Sequence, residues 1–216
     1  EDLVTGECVW LPASVAYVCA PSLYDLSTNG LASGNHLVEA TLHGLYEVIE
    51  RDAISQLFVE GRLKLGPERC QVIDPDTIDA DLVGGLLHKL RQAEIKPVLI
   101  WVHSPLPTHT FWAILLDKKA SSPSTMVNVG YGTHTSPSVA AIRAITEAAQ
   151  SRLSFIHGAR EDMGYKIRST SRALAARIYA YFDRLAASDN AAGKWQTLTD
   201  RASDDLQQDL WLTIEA

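Results

Sequence analysis

Cysteine is scarce in these 216 residues: Cys8, Cys19 and Cys70 make three, an odd number at wide spacings. That excludes a disulfide framework and a cysteine-based zinc centre, and the three are expected to be buried thiols. Long apolar runs are also missing. No stretch approaches the roughly 20 residues that span a bilayer, and the start, EDLVTGECVW, has neither the basic nor the apolar region of a signal peptide. The chain is therefore read as cytoplasmic, with no membrane partner. Basic residues are the minority, 19 against 26 acidic, for a net charge of −7. A whole-protein grip on nucleic acid is not expected, and a phosphate-bearing ligand would need cations placed locally. The sequence holds no Gly-x-Ser-x-Gly elbow, His-Glu-x-x-His helix or Cys-x-x-Cys pair, so the common nucleophile and zinc chemistries lack support. There is no internal repeat. With no initiator methionine and an apolar end, DLWLTIEA, the chain reads as a fragment of something longer.

What is present suits a folded core: 46% of the residues are hydrophobic, enough for one sizeable core in a chain of this length. ASVAYVCA, residues 13 to 20, reads as a buried strand, and the turn cluster STNGLASGN follows it. Apolar residues at helical spacing from His36 to about Phe58 predict a helix with Asn35 as its N-cap and Gly61 at its end. A second helix is predicted from about Thr77 to Glu94, weakened by Gly84 and Gly85. KPVLIWVHS, TFWAILLD and TMVNVGYG read as three strands, with at least one antiparallel pair. Pro137 opens a periodic helix that ends near Gly158, and the remainder reads as mostly helical, with ASDNAAGK, residues 187 to 194, as a flexible connection. The expected class is α/β of the mixed α+β kind, a mixed sheet packed with helices. The chain is read as one domain, residues 1 to 162 as its core and 163 to 216 as a helical C-terminal region.

Two helices carry unusual polar faces. At about 100° per residue, Glu39, His43, Glu47 and Glu50 fall within about 80° of arc beside an apolar stripe. Taken alone, such a face is more often a set of surface glutamates matched by Arg51. Like charges one turn apart repel, however, unless a cation lies among them. On the later helix Arg143, Glu147 and Gln150 again share one face, opposite Ala144, Ile145, Ala148 and Ala149. If the two faces meet, their carboxylates could hold Mg²⁺, which takes oxygen ligands and bridges to phosphates, with Arg51, Arg143 or Arg152 on the phosphate oxygens. Arg152 lies about 140° from Glu147 around the helix, so spacing does not bring it to that cleft. GYGTHTSP, residues 130 to 137, suits either a plain strand-to-helix turn or an anion-binding loop, and His134 within it either a general base or an exposed loop histidine.

TNGLASGNHLVEATLHGLYEVIERDA, followed about a hundred residues later by GYGTHTSPSVAAIRAITEAAQSRLSFIHGARED, resembles the YcaO family, over roughly residues 13 to 162. The resemblance implies an enzyme that uses ATP to activate peptide backbone amides, with an ATP and Mg²⁺ site between two acidic-faced helices. Its Glu-x-x-Glu-Arg motif falls on Glu47, Glu50 and Arg51, and its second acidic helix on Glu147, Gln150 and Arg152. Glu47, Glu50 and Glu147 would be the metal ligands; no residue is assigned as a covalent catalyst. Where the family often has serine, His43 stands four residues before Glu47. The match does not extend to the family's N-terminal nucleotide-binding segment or its Pro-rich tail, so these residues are expected to hold ATP less well than a complete protein. The implied partners are a peptide or protein substrate and, because KWQTLTDRASDDLQQDLWLTIEA resembles the relevant branch, a TfuA-type protein, with homo-oligomerisation left open. That branch favours thioamide over azoline formation. Two other readings stand beside it: a non-catalytic YcaO-like scaffold that binds peptides, and a metal-dependent hydrolase using the same carboxylates.

Overall fold

A computed structural model describes residues 2–16, 27–59, 62–158, 171–187 and 192–216. TFWAILLD becomes the centre of the molecule. Strand β5 (His109–Leu116) is buried along its whole length, as expected of an uninterrupted apolar run with both faces covered. It pairs antiparallel with β4 (Lys96–Val102) on one side and β6 (Val127–His134) on the other. The three predicted strands thus form one antiparallel meander. Short β3 (Cys70–Ile73) adds antiparallel to β4, and β7 (Ala192–Gly193) adds parallel to β3, giving the order β6-β5-β4-β3-β7. A separate two-stranded ribbon joins β1 (Phe58–Val59) to β2 (Arg62–Leu63).

Helices cover both faces. On one face Leu99, Phe111, Ala113 and Leu115 meet α3 (Asp81–Gln92), α4 (Pro137–His157) and Trp195. On the other, Val98, Ile100, Trp112 and Ile114 meet Ala53 of α2 (Leu37–Ser55), Leu57 just beyond its end and Phe182 of α5 (Arg172–Ala186). The last helix, α6 (Leu206–Ile214), buries Leu210 against Leu42 and Tyr46 of α2. The class is the mixed α/β architecture expected from the sequence. No helix among the described residues is long and apolar enough to cross a membrane.

Several boundaries differ from expectation. Ala13–Ala16 form a short helix, α1, rather than the start of a strand; the rest of that segment, through Ala20, lies outside the described residues. The N-cap of α2 is His36, whose ring accepts the Glu39 amide, and Asn35 instead donates its backbone and side-chain N–H groups to the Glu39 carboxylate at 2.7 and 3.0 Å. That helix stops at Ser55, short of Phe58, which enters β1; Gly61 lies outside the described residues. Helix α3 stops at Gln92 because Glu94 takes a left-handed φ of 59°. It also starts later than Thr77, which ends a 3₁₀ turn. Within ASDNAAGK, Ala192 and Gly193 are a sheet strand rather than a loose connection, while residues 188–191 lie outside the described set. Cys70 is buried as expected, Cys8 is exposed, and Cys19 lies outside the described residues.

The approach of α4 to β6 is set by small residues on both sides. Ala140, Ala141, Ala144 and Ala148 are fully buried against the strand, and Gly130 and Gly132 face them. A Cβ on Gly132 would stand 2.6 Å from the Ala144 amide nitrogen, and one on Gly130 would stand 2.7 Å from the Glu147 carbonyl carbon. The GYG glycines therefore serve helix-on-strand contact rather than a turn.

Candidate functional site

Because α4 lies so close to β6, its polar stripe is delivered to the sheet edge. Glu147 accepts the Tyr131 amide at 2.9 Å, and Arg143 Nη1 reaches the Thr133 carbonyl at 3.4 Å. Helix α2 runs along the same edge, tied there by Tyr46, whose hydroxyl lies 3.1 Å from that of Thr135. The predicted faces meet: Glu47, Glu50 and Arg51 of α2 and Arg143, Glu147 and Gln150 of α4 line one cleft of about 430 Å³. Tyr131 forms part of its wall.

The carboxylates are not equivalent. Glu47 accepts the Gly30 amide at 3.0 Å; Gly30 takes a left-handed φ of 79°, and a Cβ on Gly44 would stand 2.6 Å from the Gly30 carbonyl oxygen, so both glycines are needed for this approach. Arg51 sits 3.7 Å from Glu47 and 4.0 Å from Glu50, long contacts from a guanidinium that is 44% exposed. Such pairs hold little energy. Glu50 is 8% exposed. Burial, then the charge of Glu147 and that of Glu47, push its carboxyl up to about 7, with Arg51 and Arg143 opposing. A carboxyl so placed gains a negative charge readily only when a cation joins it. Burial also lowers the proton affinity of Arg143, though the guanidinium stays charged at any physiological pH.

The remaining expectations divide. Glu39 is drawn away into the Asn35 contacts, and His43 turns a ring nitrogen to the Ser33 carbonyl at 3.3 Å while lining the cleft. His134 is neither an exposed loop residue nor a base at the cleft. Its Nδ1 accepts the Ser136 amide at 2.9 Å, its ring lies 4.9 Å from that of Tyr46, and burial with Arg143 nearby pushes its pKa down to about 4.

Arg152 is not brought to the cleft: its Nη2 donates to Asp117 at 2.7 Å and its Nη1 to the Thr125 carbonyl at 2.8 Å. The 140° helical offset decides this position, and Asp117, absent from the motif, supplies the partner. Arg152→Ala is expected to cost about 2–4 kcal/mol of stability by stranding a mostly buried Asp117. Urea unfolding measures it; unchanged stability with lost nucleotide affinity would instead mark Arg152 as a ligand-binding residue.

Residues that periodicity did not find support the site from outside the cleft. Thr135, between Tyr46 and Asp209, joins β6 to α2 and α6, and Ser136 donates to Asp200 at 2.7 Å instead of capping α4. The C-terminal region therefore braces the junction of β6 with α2, through Tyr46, which also lines the cleft. Its only sequence signal was a scatter of Asp, Ser and Thr, too common to read.

An oxygen-only donor set suits Mg²⁺ better than zinc. Yet among the described residues no group of three His, Cys, Asp or Glu side chains is gathered closely enough to hold an ion. The cleft therefore fits a hydrated cation that completes its shell with waters and ligand oxygens, rather than a closed protein cage.

Comparison with known proteins gives the family and the fold. The family pattern described as YcaO cyclodehydratase, ATP- and Mg²⁺-binding, matches residues 1–216. An uncharacterized protein of Methanothermobacter thermautotrophicus is 44% identical over 168 residues, covering 75% of this chain and 42% of that protein. An uncharacterized protein in the tfuA 3′ region of Rhizobium leguminosarum bv. trifolii is 34% identical over 196 residues, covering 86% of this chain and 43% of that one. The chain thus spans under half the length of these curated relatives. Among solved structures, YcaO from Methanopyrus kandleri bound with AMPPCP and Mg²⁺ superposes with a TM-score of 0.72 at 23% identity, covering 99% of this chain and 54% of that one. The fold, the two-helix motif and the full-length pattern match lead to one assignment: this chain belongs to the YcaO family.

Proposed function

We propose that this chain carries the nucleotide site of an ATP-dependent enzyme that activates a backbone amide of a peptide or protein substrate. The observation that carries the reading is the convergence of Glu47, Glu50, Glu147, Gln150, Arg51 and Arg143 from two helices on one cleft. Glu47, Glu50 and Glu147 would face a hydrated Mg²⁺ brought in with the nucleotide, meeting it through its bound waters and not as a three-carboxylate shell, and the ion would neutralise charge on the phosphate oxygens. Arg51 and Arg143 are the cations near enough to meet those oxygens, and Gln150, exposed at the rim, orients them. In the reaction a nucleophile adds to the amide carbonyl, the resulting oxyanion takes the γ-phosphoryl group as ADP leaves, and loss of phosphate completes the exchange. The protein's part is positioning and charge neutralisation, with no covalent nucleophile of its own.

Sulfide addition giving a thioamide is preferred to attack by a neighbouring Cys, Ser or Thr giving an azoline. The relative named for its place in a tfuA 3′ region supports this, as it supports a TfuA-type partner.

Calorimetric titration of Mg²⁺-ATP tests the reading. The chain is expected to bind, and Glu47→Ala with Glu50→Ala to weaken binding at least tenfold without unfolding. A folded chain that binds metal but no nucleotide would turn the assignment to a metal-dependent hydrolase, and one that binds neither would turn it to a peptide-binding scaffold.

A further inference from the structure

Among the described residues strand β6 is the last in the sheet, and one side of its backbone has no strand partner. The Asp117 amide donates to the Met126 carbonyl at 2.9 Å, which sets the phase of the β5–β6 ladder. Asn128, Gly130, Gly132 and His134 therefore exchange hydrogen bonds with β5, and Val127, Val129, Tyr131 and Thr133 turn their amides and carbonyls outward. Helix α4 meets two of these groups, the Tyr131 amide through Glu147 and the Thr133 carbonyl through Arg143. Among the described residues no side chain meets the amide or carbonyl of Val129. An open strand edge invites pairing, and proteins usually blunt one with lysine, proline or a bulge. VNVGYGTH has no lysine or proline, and its register with β5 is unbroken.

The open stretch has a cleft at one end and a groove at the other. Two residues along β6, roughly 7 Å, separate Val129 from Tyr131 in the carboxylate cleft. In the other direction Val127 and Val129 border an apolar groove of about 750 Å³, with Trp112, Phe58, Ile178 and Tyr181 on its walls. Phe58 is 46% exposed and Tyr181 39%.

We propose that the substrate peptide adds to β6 as an extra strand at Val129, its alternate side chains in the apolar groove and its reacting amide carried into the cleft. This inference rests on the function proposed above for naming the peptide as substrate. Backbone pairing gives a sequence-tolerant grip, and the groove gives selectivity for apolar residues at every second position. A second copy of the chain fits less well, because Glu147 and Arg143 close the edge beyond Val129 and leave too few residues for two β6 strands to pair reciprocally.

The probe is a library of capped octapeptides of random sequence, screened against the whole 216-residue chain by fluorescence anisotropy. Peptides that bind are expected to lose at least tenfold in affinity when the alternate amides of one edge are N-methylated, and to tolerate methylation of the other set. Val129→Pro removes the outward N–H and spares the ladder to β5, and is expected to weaken the same peptides at least tenfold. If that variant does not fold, the N-methyl series on the unaltered chain decides. Absence of any binding peptide, indifference to N-methylation, equal binding by folded Val129→Pro, or an edge-to-edge dimer that peptides do not dissociate would each overturn the proposal. Mg²⁺-ATP binding is measured separately without peptide. Loss of the peptide effect alone removes this inference, whereas absence of nucleotide binding removes the parent reading and leaves the edge result in place.

Discussion

Alanine at position 130 is expected to cost about 3–5 kcal/mol or to abolish cooperative folding, for the sake of a single added methyl group. Its Cβ would overlap the backbone of Ala144 and Ala148 and stand 2.7 Å from the Glu147 carbonyl carbon. All of these are main-chain atoms of α4, so no side-chain rotation relieves the contact; the helix itself has to move away. That movement would open the fully buried alanine stripe and carry Glu147 off the Tyr131 amide. Structure and site should therefore fail together. Gly85→Ala supplies the comparison, since a Cβ there meets nothing within 4 Å and α3 gains a better helix former. Urea unfolding should find the Gly85 variant as stable as the parent or up to ~1 kcal/mol more so. Near-parental stability for Gly130→Ala would contradict the close α4–β6 contact from which the cleft is derived.

Glu50→Gln is expected to separate from the parent only as pH rises. The folded Glu50 carboxyl holds its proton up to about pH 7, whereas an unfolded chain releases it near the ordinary value of 4.5. A raised folded pKa contributes stability that is complete below the unfolded pKa and is lost as pH climbs through the folded one. At pH 4, then, the two proteins should melt alike. By pH 8 the parent bears the cost of a buried carboxylate beside Glu147 and Glu47, and the glutamine variant should be the more stable by about 3 kcal/mol, or roughly 6–12 °C in melting temperature. Mg²⁺-ATP should then raise the parent's melting temperature at pH 8 and leave the variant's nearly unmoved, because the charge that costs stability in the empty cleft is the one a cation would meet. A constant gap from pH 4 to pH 8 would mean that Glu50 titrates normally and that the cleft exerts no pull on a cation.

Much of this was legible in the residues themselves. Continuous apolar runs locate β4, β5 and β6. The 3.6-residue period locates α2 and α4 and places Glu47 with Glu50 and Arg143 with Glu147 on single faces. The same angular reasoning set Arg152 apart, and its bond to Asp117 agrees. Short elements escaped. Two-residue β7 carries no period at all, and β3 is four residues defined by pairing to β4 rather than by its own pattern. ASVAYVCA was read as a strand from its small and β-branched residues, yet its first four form a helical turn, because a run that short has no intrinsic preference strong enough to withstand its surroundings.

The sequence by itself determined which faces are polar, since side-chain direction along a helix follows from backbone geometry alone. Only the tertiary structure decided that the two faces meet, because that depends on how closely α4 can lie on β6, a distance set by Gly130, Gly132 and four alanines brought together across the fold. The charge state of Glu50 was decided there as well. A carboxyl's affinity for its proton depends on the water it loses and the charges it gains, and Glu147, nearly a hundred residues away in the chain, becomes its neighbour only after folding.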